Sequence, residues 1–398
     1  MRNFKFFGGL IIVIISILAL VYFLNRQVFN TIYHNQAALA EGSEWVEKTY
    51  SLAGLIEYIE AHPQQVSITS LNLSYPDQTI SFQEEESRTL GAAGHIIILG
   101  AWVEAQSNGF HPADSLIALE DIEYFALPNV ASSSHQAGMG KLRRNSRENE
   151  EKVELEYVVR TMIENNHLAS ADFMMNLLGD NRLNDFTNNY FNGDVEAPLP
   201  WSGFYILAQP MLHGMQADEK LEELAGLPDD ELRRRVLEAF QRFLDDEEYH
   251  SQVNQSFGGD GHNLSFTEQR ALYNLFPKGQ SRGLAEFAAE VLNGEFISQP
   301  ASDLMYDILS WPMQLSSTER HMERYGAVYE DRMSILGGVD MGESGYTGER
   351  YAQAVLFDDM PIGLWMHMSS NFMNQDYQQR LIYDPELHRR SFSTFQPE

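Results

Sequence analysis

An unbroken apolar run, FGGLIIVIISILALVYFL from Phe7 to Leu24, constrains this chain more than any other feature. It carries no charged side chain. At about 1.5 Å of helical rise per residue it reaches about 27 Å, close to the roughly 30 Å hydrocarbon core of a bilayer. Arg2 and Lys5 precede it, so the positive-inside tendency holds the short N-terminus in the cytoplasm and exports the remainder, against a weaker pull from Arg26. The expectation is a cytoplasmic stub and one transmembrane helix within residues 1–30, with a single large domain over 31–398 outside. The competing reading is a cleaved signal peptide, because Ala38-Leu39-Ala40 has the small-x-small form that a signal peptidase accepts. The polar stretch from Asn25 to Gln36 sets that site far from the apolar run and favours an uncleaved anchor.

Composition narrows the exported part. With no cysteine, lipoprotein anchoring, disulfides, thiolate metal sites and a cysteine nucleophile are excluded. Lys plus Arg is 27 against 57 Asp plus Glu, and a formal net charge of -30 argues against nucleic acid or an anionic lipid surface as partner.

Residues 31–62 read as a polar and then amphipathic helical stretch, with Leu52, Leu55, Ile56 and Ile59 at helical spacing. Val66 to Tyr75 alternates as a strand does, Pro76-Asp77 turns, and Thr79 to Phe82 is its hairpin partner. Ala92 to Ala105 is apolar nearly all round, the mark of a helix buried mid-domain. Residues 130–152, rich in Ser, Asn and charge, read as an exposed loop before helices at Val153 to Asn165 and Ala169 to Leu178, the latter closed by Gly179. Residues 213–295 are helical and charged, and read as an inserted subdomain whose clearest element is Asp229 to Leu244. Tyr351 to Phe357 and Ile362 to Met368 read as two strands joined by Asp358 to Pro361, before a helix from Asn371 to Ile382. Early and late strands around a helical middle give an α+β fold, an antiparallel sheet flanked by the terminal helices plus an all-helical subdomain.

This order, with the string NHLASADFMMNLLG from Asn166 to Gly179, resembles the penicillin-recognising serine hydrolases, the superfamily of class A β-lactamases and DD-peptidases. The resemblance covers about residues 50–385, interrupted by the helical insertion, and implies a β-lactamase/transpeptidase-like fold with a three-part catalytic centre. The first part, Ser-x-x-Lys at the start of the buried helix, falls on Ala92-Ala93-Gly94-His95, which puts a methyl group where the nucleophile belongs. None of the six lysines has a serine three residues before it, so no shift of alignment restores the motif. The second, Ser-x-Asn, falls on Asn166-His167-Leu168 or, with a gap, on Glu164-Asn165-Asn166, and neither supplies the serine. The third, Lys-Thr-Gly on the strand lining the site, falls on Asp340-Met341-Gly342, where a carboxylate would repel the anion the family recognises. In the interval where class A β-lactamases place a deacylating glutamate, Asp194 and Glu196 occur without the family's Glu-x-x-Leu-Asn string.

No catalytic residue is therefore expected. His95 could serve as a base but has no nucleophile beside it, and reads as a structural, hydrogen-bonded histidine. Ser87 and Ser170 are followed by no lysine or histidine at turn spacing and read as loop or capping serines, and Glu196 as a solvated loop acid. No cofactor or metal is expected: His250, His262 and His321 are scattered, and Phe257-Gly258-Gly259-Asp260-Gly261 lacks the acids of a calcium loop. Gly342-Glu343-Ser344-Gly345-Tyr346 is not a Gly-x-Ser-x-Gly elbow, and Gly337-Gly338 is a turn. The expectation is a non-catalytic β-lactamase-like binding or scaffolding module on the bacterial inner membrane, facing the periplasm and cell envelope with a protein or peptidoglycan partner. Two alternatives stand beside it: an active serine hydrolase acting on β-lactams or peptidoglycan peptides, and an envelope subunit whose insertion docks a partner helix.

Overall fold

A computed structural model describes residues 32–147, 151–258, 264–310 and 338–396. The apolar run at 7–24, His262, His321, Gly337 and residues 259–261 lie outside these, and no helix among the described residues is long and apolar enough to cross a membrane.

Among the described residues the first complete elements are two short helices, α1 (Gln36–Ala40) and α2 (Ser43–Val46), and the longer α3 (Leu52–Ala61), whose N-cap Ser51 side chain accepts from Gly54 N. Strands β1 (Val66–Asn72), β2 (Ile80–Phe82) and β3 (Arg88–Thr89) lead into α4 (Gly94–Ser107). Then come β4 (Leu116–Ala118), α5 (Leu119–Glu123), α6 (Ser132–Asn145), β5 (Lys152–Glu154), α7 (Leu155–Asn165), α8 (Leu168–Leu178) and α9 (Asp180–Phe191). A helical block follows: α10 (Trp201–Ala208), α11 (Pro210–His213), α12 (Ala217–Ala225), α13 (Asp229–Asp245), α14 (Glu247–Gly258) and α15 (Phe266–Tyr273). The chain returns through β6 (Lys278–Gly279), α16 (Ser281–Asn293), α17 (Gln299–Leu309), β7 (Val339–Glu343) and β8 (Arg350–Phe357). It closes with α18 (Ile362–Ser370), α19 (Met373–Tyr383) and α20 (Pro385–Phe395).

Four strands pair antiparallel in the order β2-β1-β8-β7. Cross-strand neighbours share a face, so the register Thr69, Ala354, Val339 defines one side of the sheet and Ser70, Gln353, Asp340 the other. The first side lies under α16, where Thr69 Oγ1 and Ser281 Oγ are 2.8 Å apart, and joins the main core around α4. The second carries the terminal helices, with Leu55, Ile59, Ile68, Val355, Tyr377 and Leu381 in one apolar cluster. β1 is β-branched and buried on both faces because helices cover both.

α4 is central because its apolar residues surround it. Ile96, Ile97, Leu99 and Trp102 are all buried, each contributing about 1.5–3 kcal/mol. Gly100 makes room for a neighbour: a Cβ there would lie 2.4 Å from Phe186 Cζ. The block α10–α15 builds two apolar clusters of its own, one around Phe204, Leu221, Val236 and Phe276 and one around Ile206, Phe243 and Phe257.

Four local expectations are corrected. Residues 132–145 form helix α6, whose burial is confined to the narrow stripe Gly138, Met139, Leu142 that a polar average hides. Lys152–Glu154 is a strand paired with β4, so α7 begins at Leu155. Ile362 to Met368 is part of helix α18, and β8 pairs instead with β1 and β7; the run lacks two-residue alternation, and Pro361 at its N-cap pre-sets a helical start. Finally, α16 belongs to the sheet rather than to the inserted block.

Candidate functional site

The approach to α4 is fixed by Leu90 N bonding Pro277 O at 2.9 Å, after which Gly91–Ala93 form one 3-10 turn that leaves Ala92 half-buried. His95, one turn on, is 1% exposed and faces Leu90, Ile98, Pro198, Leu199, Trp201 and Phe276 across a cavity of about 20 Å³, roughly the room one water needs. The Trp201 ring stands edge-on to the imidazole at 5.9 Å. Neither ring nitrogen has a hydrogen-bond partner among the described residues, so the expected hydrogen-bonded histidine is corrected. Its surroundings are apolar because residues 198–204 fold over the start of α4. Burial pushes His95 down to about 4, so the ring is neutral near pH 7.

The second station is differently built. Asn166 ends α7 in the left-handed region at φ 47°, and His167 is the buried N-cap residue of α8. His167 Nδ1 lies 2.7 Å from Ser170 Oγ, its Nε2 lies 3.0 Å from His135 Nδ1 on α6, and His135 Nε2 lies 3.2 Å from Glu123 Oε1 on α5. With both imidazoles neutral and Glu123 the final acceptor, one direction satisfies the chain: Ser170 O–H donates to His167, His167 to His135, and His135 to Glu123. Gly138 permits this stack, since a Cβ there would lie 2.6 Å from His167 Cδ2. Burial first, then His135 and His95, push His167 down to about 3. Ser170 is wholly buried. The arrangement has the polarity of a nucleophile–base relay but no open approach among the described residues.

Asp172, two residues on, ties the cover in place. Its carboxylate accepts from Trp201 N at 2.8 Å and Ser202 N at 2.9 Å, satisfying two of the free N–H groups at the start of α10. Burial raises it to about 7 against the lowering effect of those bonds.

The remaining candidates do not converge on His95. Asp340 is buried on the edge strand β7 and shares the face of Gln353, whose Nε2 donates to Gln378 O of α19, so it lies under the terminal helices. Gly342 pairs with Tyr351 on that face. Glu164 is ion-paired with Lys141. Glu196 Oε2 accepts from Lys278 N at 2.8 Å, and so braces β6. Ser87 is exposed on the segment leading to β3. Leu168 sits beside His135 at the start of α8. No group of three or more His, Asp or Glu placed to hold a metal occurs among the described residues.

Reading forward from Ser170 for a basic partner misses the one behind it, because His167 and Ser170 are the N-cap and N3 positions of one helix and face each other there. Glu123 and His135 carry no such signal, since α6 itself reads as loop.

No family model matches the chain, and no curated protein does. Solved structures do. A β-lactamase from Chitinophaga pinensis is 11% identical, with a TM-score of 0.45 over 86% of this chain and 98% of that one. A β-lactamase from Francisella tularensis is 10% identical, with a TM-score of 0.43 over 81% and 99%. PBP-A, also solved as an acyl-enzyme complex with penicillin G, is 13% identical, with a TM-score of 0.40 over 86% and 94%.

Proposed function

We propose that the protein is a membrane-anchored, non-catalytic β-lactamase-like module that binds or positions a partner in the bacterial envelope, its apolar N-terminal run serving as the anchor. The observation that carries this reading is the start of α4: Ala92 offers no nucleophile, no lysine stands a turn away, and His95 is walled by Leu90, Pro198, Leu199, Trp201 and Phe276. A substrate carbonyl needs a nucleophile, and this position supplies none. The test is incubation of the full chain with a fluorescent penicillin. No covalent label is the expected result, and stoichiometric labelling would refute the reading.

A second reading, an active serine hydrolase with a relocated nucleophile, draws on the Ser170–His167–His135–Glu123 chain. It requires Ser170 to become exposed, because the residue is fully buried. Peptide mapping after treatment with a serine-acylating probe separates the two: an adduct on Ser170 favours the second, and its absence the first.

A further inference from the structure

We infer that α18 and the aromatic residues beside it form a membrane-contact face that seats the domain on the bilayer next to its own anchor; the inference rests on the anchor reading proposed above. In a chain with a net charge of -30, no Asp, Glu, Lys or Arg occurs between Asp359 and Asp376. That stretch is nonetheless on the surface. Trp365 is 51% exposed and Phe372 63% exposed, with Met366 half-buried between them and only Ile362, Leu364 and Met368 of α18 turned inward. An outward helix in an acidic protein ordinarily carries charge on its solvent side, and this one presents a tryptophan, with Phe372 just past its end. Exposed Tyr50 joins them, its ring 4.3 Å from that of His367.

The occupant follows from where the chain enters. α18 packs on α1 and the residues after it: Leu364 N bonds Glu41 O at 3.2 Å, and Ile362 N bonds Glu41 Oε2 at 3.3 Å. The approach is close enough that a Cβ on Gly363 would lie 2.3 Å from Leu39 O. Exposed Ile32 and Tyr33 lie just ahead of α1. Leu24 ends the apolar run, and the residues from Asn25 to Thr31 can span at most about 29 Å to Ile32 even fully extended. The uncharged, aromatic face therefore lies at the corner that the sequence brings nearest the bilayer. Trp and Tyr favour the headgroup boundary because an apolar ring and a polar N–H or O–H are both satisfied there. With no cation on α18, the contact is with the zwitterionic boundary and acyl region rather than with anionic headgroups.

The test uses the full chain reconstituted in phosphatidylcholine vesicles, with and without dibrominated acyl chains, and floated on a density gradient. Bromine quenches tryptophan emission only at close range, and Trp365→Phe subtracts the contribution of that residue from the other four tryptophans. The expected result is flotation, with a loss of emission in brominated vesicles that Trp365→Phe abolishes, and reduced quenching of the same component by aqueous acrylamide. Flotation with equal bromine quenching in wild type and Trp365→Phe would overturn the inference while leaving the anchor intact, and cross-linking of this face to a second copy would do the same. Failure to float would sink the anchor reading and this inference with it.

Discussion

Replacing His95 by Leu should stabilise the protein, and more so in acid. The imidazole is buried with both ring nitrogens unpartnered among the described residues, and such a group costs about 1–3 kcal/mol relative to an apolar one of similar shape. Leucine is close to histidine in volume, and the adjoining cavity of about 20 Å³ takes up the difference. The gain at pH 7.5 is thus about 1–3 kcal/mol. The pH dependence has a definite sign. Folding lowers the pKa from 6.5 to about 4, so the contribution of the neutral ring is present above pH 6.5 and is lost as pH falls towards 4. At pH 5 the unfolded ring is protonated and the folded one is not, which removes about 2 kcal/mol from the wild type alone, from about 1.5 pH units at about 1.36 kcal/mol each. Urea unfolding followed by tryptophan emission, at pH 7.5 and pH 5.0 in both proteins, measures the two gaps. A variant destabilised at pH 7.5, or a gap that does not widen in acid, would refute the apolar reading of this position and indicate a polar partner for the ring.

Asp172→Asn tests the cap on α10 with the opposite sign. The folded pKa is raised from 3.8 to about 7, so the contribution of the carboxyl is present below 3.8 and lost as pH rises through 7. Wild type should lose about 2 kcal/mol relative to Asp172→Asn between pH 5.5 and pH 8, read from paired urea titrations. Gly138→Ala drives a methyl into the His167 ring and should destabilise by about 1–3 kcal/mol; an unchanged melting curve would show that α6 and the His135–His167 stack move freely. Ser170→Ala removes the donor to His167 Nδ1 and should cost about 1–3 kcal/mol, with no loss of any hydrolytic activity found in the preparation.

Strong periodicity was legible in the sequence, and weak periodicity was not. β1, α4, α8 with Gly179, and α13 stand in the structure within a few residues of where alternation, all-round apolarity, a glycine stop and an amphipathic stripe put them. α6 escaped because only Gly138, Met139 and Leu142 are buried along its length. α18 escaped because exposed Trp365 and half-buried Met366 put apolar residues on its outward side too, which blurs the period. At the site, the motif pattern points to His95 but passes over His167, the unspecified middle position of Asn166-His167-Leu168, and says nothing of what surrounds either. The walls of His95 come from residues 198–204 and 276–277, far off in sequence. His167 is bonded to α6, and through His135 to α5. Such contacts are set by tertiary packing, which no local pattern encodes.

The sharpest test of a non-catalytic start of α4 is intact-mass spectrometry of the full chain after prolonged exposure to penicillin, followed by peptide mapping. An unmodified mass at all times is expected, because Ala92 has no group to be acylated and Ser170 is fully buried. A mass increase equal to one penicillin, mapped to any serine, would contradict it.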